Sequence, residues 1–321
     1  MIEPLIDPGI WKNRFTLGEW NTHASVRTSD HHYKLPTDIE KQLESQDWFP
    51  PALLPYLSHP EISSADPAIT KRLCANHLVN FLHYTTLLEH RIVNRSVEVI
   101  IHDELEFTIP RRMKTAALQL YTDEGYHALF SNQLAEQVID FYGMTDRPTT
   151  HRRITRLNHL IDRTPDKQRA LTWFLIGFVS ETIIAKDLRE VCQNTLVSSV
   201  QEMLSDHLAD EARHSRYFSE VFHYLWFQMS DEVRLSSARQ LLEILFIFFE
   251  SDKKWLERSL RSVQLSKTAV QQILITMADP QHHIFRTRSG ASSTLQALKR
   301  ADCFKQPEIR QMFSNRRLLD E

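Results

Sequence analysis

"HLADEARHSRYF", residues 207–218, sets His207, Glu211 and His214 at positions i, i+4 and i+7. At about 100° per residue, a helix gathers those three side chains into a stripe roughly 60° wide. The same stripe runs on through Val200, Met203 and Leu204 in one direction and Phe218, Val221, Phe222 and Leu225 in the other. The ionisable trio therefore interrupts an apolar face that points at a core. An unpaired carboxylate resists burial strongly, and so do unpaired imidazoles, so the group needs compensation. A metal cation supplies it compactly. Spacing alone does not make this argument: Glu220 and His223 form another E-x-x-H, but they share their stripe with Arg213, Arg216 and Tyr224. Arg216 and Glu220 are spaced as an i, i+4 ion pair, and that second motif reads as surface.

The chain around this stretch reads as helical throughout. Its 321 residues contain only 6 glycines, and between Asp166 and Ala278 there is no proline and one glycine, Gly177. Such a composition belongs to long helices joined by short turns. Asp66-Pro67 caps and opens a helix to about Asn94, with a shorter helical stretch around Val97 to Leu105. Pro110 opens a second long helix, which Gly143 ends. Thr164-Pro165 starts a third, to about Asn194; a fourth runs from Ser198 to Met229; Ser230 caps a fifth, to about Val263. Residues 1–65, with prolines at 36, 50, 51, 55 and 60, read as an irregular arm around the bundle, and 264–321 as a helical extension with two short helices about Pro307. The expected fold is all-α: one domain whose four-helix bundle core lies within 66–263.

Composition excludes several functions. A net charge of -3 argues against a nucleic-acid or anionic-membrane surface. Apolar runs such as Leu241 to Phe249 are too short to span a bilayer, and Met1 to Trp11 lacks a secretory pattern, so a cytoplasmic protein is expected. Cys74, Cys192 and Cys303 are scattered and read as packing residues. No glycine-rich phosphate loop is present, nor any flavin, NAD or iron-sulfur motif, so redox chemistry would need an external electron donor or reductase.

Given a bundle, acids on apolar faces are the informative residues. Glu89 shares its stripe with Leu78, Leu82, Ile92 and Val93, and Glu181 with Phe174, Phe178, Ile184 and Leu188. Glu124 and His127 form an E-x-x-H near Met113, Leu120, Tyr121 and Ala128; Glu211 and His214 form the other. One glutamate followed by one E-x-x-H, occurring twice, is the ligand pattern by which bundles hold two divalent ions. Carboxylate oxygens and imidazoles suit iron, with manganese as the alternative. Asp123 and Asp210, each preceding a motif glutamate, are placed to accept the spare N–H of a metal-bound histidine. Arg213 could pair with such an acid.

At these residues the chain resembles the ferritin-like diiron carboxylate proteins, and more narrowly the p-aminobenzoate N-oxygenase (AurF-like) family. His207 narrows it, because that family adds a third histidine one turn before the last glutamate; here the motif reads "HLADEARH", alongside "DEGYH", Glu89 and Glu181. The resemblance covers about residues 66–229. It implies Glu89, Glu124, His127, Glu181, His207, Glu211 and His214 as ligands of two iron ions, with no catalytic residue beyond the metal centre. It further implies O2 as co-substrate, a peroxo-bridged diferric species, and stepwise oxidation of a primary amine to hydroxylamine, nitroso or nitro product in natural-product biosynthesis. The third imidazole adds a neutral donor to one iron.

Two alternatives stay open, a diiron hydroxylase or desaturase acting on carbon and a ferroxidase or iron-storage protein. A ribonucleotide reductase small subunit would carry a radical tyrosine four residues after His127, where this chain has Ser131. For the substrate, the resemblance points to positions one and two turns before the first glutamate ligand, here Tyr84 and Phe81. Family members that use p-aminobenzoate are expected to have a basic residue there, so its absence favours an uncharged arylamine or an amino acid tethered to an acyl or peptidyl carrier protein. Arg111, Arg112 and Lys114 could dock such a carrier or be plain surface. Trp226, Phe227, Phe246, Phe248 and Phe249 extend the core or form the interface of an expected homodimer, and His282 and His283 read as an exposed pair outside any helix.

Overall fold

Long amphipathic stretches with few breakers leave little choice but helices packed side by side. In the computed structural model, which describes residues 14–28, 33–145, 150–192 and 194–319, nearly every element is a helix and no strand occurs. The amino-terminal reading of Met1 to Trp11 lies outside the described residues. The bundle is made of α1 (Pro67–Leu88) continuing through a π-helical turn (Glu89–Val93) into α2 (Asn94–Ile101), then α3 (Arg111–Tyr142), α4 (Arg152–Asp162), α5 (Asp166–Val191) and α6 (Ser198–Gln228). α1 packs on α3, α5 on α6, and α2 wedges against both α3 and α5.

Local chemistry accounts for the ends. The Asp66 carboxylate accepts the Ala68 N–H at 2.8 Å, with Pro67 at the first helical position. Gly143 ends α3 at φ +58°, the left-handed conformation glycine tolerates best. Two expectations need correction. The separate helices expected to Asn94 and from Val97 are one continuous rod, joined where Glu89 opens the π turn; an extra residue per turn there rotates the following face without breaking the helix. The fifth helix does not reach Val263 but stops at Phe248 (α7, Asp231–Phe248), and α8 (Lys253–Ser262) restarts after Asp252 caps the Trp255 N–H. The sequence reading also passed over α4, although Ile154, Leu157, Leu160 and Ile161 carry a helical stripe.

The remaining helices, α9 (Lys267–Met277), α10 (Pro280–Gly290), α11 (Ser292–Arg300) and α12 (Pro307–Asn315), close over the bundle. α11 lies against α5 and α6, where Thr294 and Thr182 share a buried hydroxyl contact of 2.7 Å. His282 and His283 are helical rather than irregular; His282 is exposed, whereas His283 is half-buried with Nε2 3.1 Å from the Phe246 carbonyl. Trp226 and Phe248 are core, Phe246 and Phe249 pack partly against it, and Phe227 is exposed.

The arm crosses α3 and α6 as single helical turns and extended links. Glu220 accepts the Phe15 N–H at 2.7 Å and Arg216 donates to the Thr16 carbonyl at 3.1 Å, so the second E-x-x-H anchors the arm and the expected Arg216–Glu220 pair gives way to these bonds. Tyr33 donates to Asp206 at 2.8 Å, and the Trp48 indole to the Tyr142 hydroxyl at 2.9 Å.

α5 approaches α2 and α6 closely at Gly177, where a Cβ would lie 2.6 Å from Ser96 Cβ and 3.2 Å from Phe218. Gly177→Ala is expected to destabilise the fold by about 1–3 kcal/mol through overpacking, read as a lower urea midpoint at unchanged slope.

Candidate metal centre

Four helices contribute to one buried polar cluster. Glu89 comes from the π turn, Glu124 and His127 from α3, Glu181 from α5, and His207, Glu211 and His214 from α6; all seven are at most 1% exposed. Around them Leu82, Leu120, Phe174, Phe178, Phe218 and Phe222 are fully buried, so the apolar stripes read from the sequence do turn inward. Phe178 and Phe222 stack with ring centroids 4.2 Å apart, locking α5 against α6.

The ligand-type atoms converge. Glu89, His127, His207 and Glu211 each offer an atom within 4.8 Å of the others, and so do Glu124, His127, Glu211 and His214. His207 Nε2 is 2.9 Å from Glu89 and 3.3 Å from Glu211. His214 Nδ1 lies 2.8 Å from Glu124, 3.3 Å from Glu211 and 3.6 Å from Glu181, which brings the seventh residue to the same place. His127 Nδ1 is 3.3 Å from Glu211.

Most of these inward atoms make no hydrogen bond: both oxygens of Glu89, Glu124 and Glu211, one of Glu181, Nδ1 of His127 and His214, and both nitrogens of His207. Buried polar atoms are normally satisfied, so a concentration of orphans at one point asks for a missing partner. The donor set of oxygens and imidazole nitrogens fits a pair of divalent metal ions. The protonation balance agrees. Burial is the largest influence on each group and disfavours charge, raising Glu89 to about 7 and, with Glu211 and Glu124 repelling it, holding Glu181 well above the ordinary carboxyl range. His127 and His214 are nonetheless raised well above the usual imidazole range, the first by Asp210, Glu124 and Glu211, the second by Glu211, Asp123 and Glu124. Protons on these groups do in part what a metal ion would do.

The outer nitrogens of His127 and His214 are committed. His127 Nε2 is 3.0 Å from Asp210, and His214 Nε2 is 3.0 Å from Asp123, so each aspartate serves the histidine of the opposite helix. This leaves Nδ1 of each ring facing inward. Burial works against the charged form of Asp210, but His127 and Ser25 outweigh it and bring the carboxyl down to about 2. Arg213 also contacts Asp210, as the sequence suggested it could.

Two partners came from the arm and were not read in the sequence. The Trp20 indole N–H reaches both oxygens of Asp123, at 2.8 and 2.9 Å, and Ser25 donates to Asp210 from its hydroxyl and its backbone N–H. No periodicity links residues about 100 and 185 positions apart.

The two residues expected to line a substrate pocket, Phe81 and Tyr84, separate. Phe81 is half-buried against Phe49, ring centroids 6.0 Å apart, in the apolar cluster at the arm end. Tyr84 is buried, with the His151 ring 4.4 Å away and the Arg153 guanidinium 5.2 Å over its ring. A guanidinium from the start of α4 therefore stands beside Tyr84. Asp187 stands near the same arginine, pushed up to about 6 by burial despite Arg153. Arg111 and Arg112 are exposed at the start of α3, and Lys114 pairs with Asp103.

Asp210→Ala strips His127, Ser25 and Arg213 of a common buried partner. A loss of about 3–5 kcal/mol is expected, together with faster proteolysis of the arm around residues 20–28.

Among the described residues no helix is long and apolar enough to cross a membrane. A segment of 122 residues, 37% of this chain, is 29% identical to a methionine–tRNA ligase of Methanospirillum hungatei JF-1, and the chain spans only 15% of the length of that protein. A match of far greater reach is to the p-aminobenzoate N-oxygenase AurF family, over residues 22–302, which begins within the first helical turn of the arm (Trp20–His23) and takes in every helix of the bundle and α11. With that coverage, the chain belongs to the p-aminobenzoate N-oxygenase AurF family, whose members are N-oxygenase enzymes of all-helical, diiron-dependent type.

Proposed function

We propose that this protein is an O2-dependent diiron N-oxygenase that oxidises a primary amine to its hydroxylamine and onward to nitroso or nitro products. The observation that carries the reading is the set of orphaned carboxylate oxygens and imidazole nitrogens brought to one buried point by four helices. Glu89, Glu124, His127, Glu181, His207, Glu211 and His214 are the residues that would hold the two ions. When bound, two iron ions supply the O2 chemistry that amine oxygenation requires. The first oxidation, RNH2 to RNHOH with the second oxygen atom leaving as water, takes two electrons and two protons from an external donor.

The protein's own groups do the rest. Asp123 and Asp210 fix His214 and His127 in the tautomer that leaves Nδ1 free and make both rings better donors. His207 brings a third neutral donor without a third pairing aspartate, its ring 4.3 Å from His127 and 5.5 Å from Phe130. The apolar wall of Phe174, Phe178, Phe218 and Phe222 excludes water from one side. Arg153 over Tyr84 supports an amine that carries its own acid group, such as an aminobenzoate, presented free rather than as a carrier thioester.

Loading the apoprotein anaerobically with Fe(II) should give close to two iron per chain, and Glu124→Ala or Glu211→Ala should lose at least one of them. Turnover with O2, a reductant and p-aminobenzoate should add oxygen to nitrogen, read by product mass and fragmentation; iron near zero, or oxygen found on carbon, would overturn the reading. Arg153→Met should raise KM for p-aminobenzoate tenfold or more, the loss of a hydrogen bond to a charged group (about 1.5–3 kcal/mol), while aniline is affected little.

A further inference from the structure

Two pseudo-equivalent sides of the centre end differently. Behind His127 stands Asp210, and behind Asp210 stand the Ser25 hydroxyl and Arg213, groups without redox chemistry. Behind His214 stands Asp123, and behind Asp123 stands an indole. Trp20 Nε1 donates to both Asp123 oxygens at 2.8 and 2.9 Å, and His214 Nε2 lies 3.0 Å from the same carboxylate. His214 Nδ1 then faces Glu124, Glu211 and Glu181. The Trp20 ring is half-buried, so one continuous hydrogen-bonded line joins the protein's outer layer to the centre of the cluster.

We propose that Trp20, acting through Asp123 and His214, is the route by which electrons reach the metal centre. The inference rests on the diiron reading above. The sequence carries no flavin, nicotinamide or iron-sulfur motif, so reducing equivalents have to cross the protein from outside. Tunnelling weakens steeply across van der Waals gaps and less across bonds and hydrogen bonds. Aromatic approaches through Phe130, from Tyr126 to His207 or from Tyr33 to His127, run through ring contacts of 5.3 to 5.5 Å. In the Trp20 line every junction is a hydrogen bond and the outermost member has an extended π system. The Arg27 guanidinium lies 5.8 Å from the Trp20 ring and the Asp123 carboxylate accepts its N–H, and in this scheme Trp20 couples donor and centre without being left oxidised. Two one-electron donors of the reduced iron-sulfur or viologen class each lose one electron, and two ferric ions each gain one. No bond to Trp20 forms or breaks.

Trp20 is a positioning residue in this scheme, and its test reads electron transfer directly. Iron-loaded, oxidised protein is mixed anaerobically with reduced methyl viologen, and the loss of its ferric absorption is followed by stopped flow. Trp20→Phe should retain iron close to two per chain and slow the reduction tenfold or more. Tyr33→Phe, which frees another part of the arm from Asp206, should leave the rate unchanged. Amine oxidation driven by hydrogen peroxide, which brings oxygen and oxidising equivalents together, should fall far less in Trp20→Phe than oxidation driven by O2 and viologen. A parental reduction rate in Trp20→Phe, an equal slowing in Tyr33→Phe, or an equal loss with peroxide would overturn the proposal. If the parent protein holds no iron, the diiron reading fails first, at the metal assay, and this inference fails with it.

Discussion

Four carboxylates and three imidazoles buried between helices are the constraint to which the rest of this protein answers. Left to themselves, the acids would repel one another in a medium that screens poorly, and the centre would open or fill with protons. The structure meets this from inside, by aiming their free atoms at one point where metal ions fit, and from outside, by backing two of the histidines with aspartates. Each aspartate is then itself supported, one by an indole and the other by a hydroxyl and a guanidinium. Polar support therefore extends from the centre out to the arm, and no member of it is left without a role.

The crossing of these supports has a mechanical consequence. Asp123 sits beside Glu124 on α3 yet serves His214 on α6, and Asp210 beside Glu211 on α6 serves His127 on α3. The two motif helices are held together on the outside of the centre as well as through it. The arm lies over this seam, so its order and that of the metal-binding face belong to one cooperative unit. Because the arm has no internal repeat, it makes the two halves of a nearly symmetric bundle chemically different. The π turn at Glu89 adds a second asymmetry, placing an extra residue at the one ligand helix that His207 faces.

Much of this was legible along the chain. The helix ends at Pro67, Pro110, Gly143 and Ser230 follow from capping and backbone chemistry, and the inward turn of Glu89, Glu124, Glu181 and Glu211 follows from the apolar stripes that continue past them at helical spacing, Phe178 and Ile184 about Glu181 and Leu204 and Phe218 about Glu211 among them. Asp123 and Asp210 could be named because they neighbour the motifs, but their crossed pairing could not, since it depends on how α3 and α6 are rotated against each other. The reading went astray where local signals were weak. Phe248 ends a helix without glycine or proline, and the Glu89 turn continues one through a change of pitch that leaves no composition mark.

What the sequence by itself determined is the class of site: periodicity of 3.6 makes i, i+3 and i+4 neighbours, so acids and histidines at those spacings within apolar stripes must meet inside a bundle. What only the tertiary structure decided is what surrounds that site. Trp20 behind Asp123, Ser25 behind Asp210 and Arg153 over Tyr84 are meetings between segments far apart in the chain. Such contacts arise from the path of the arm and the seating of α4, and no local period records where a distant segment comes to rest.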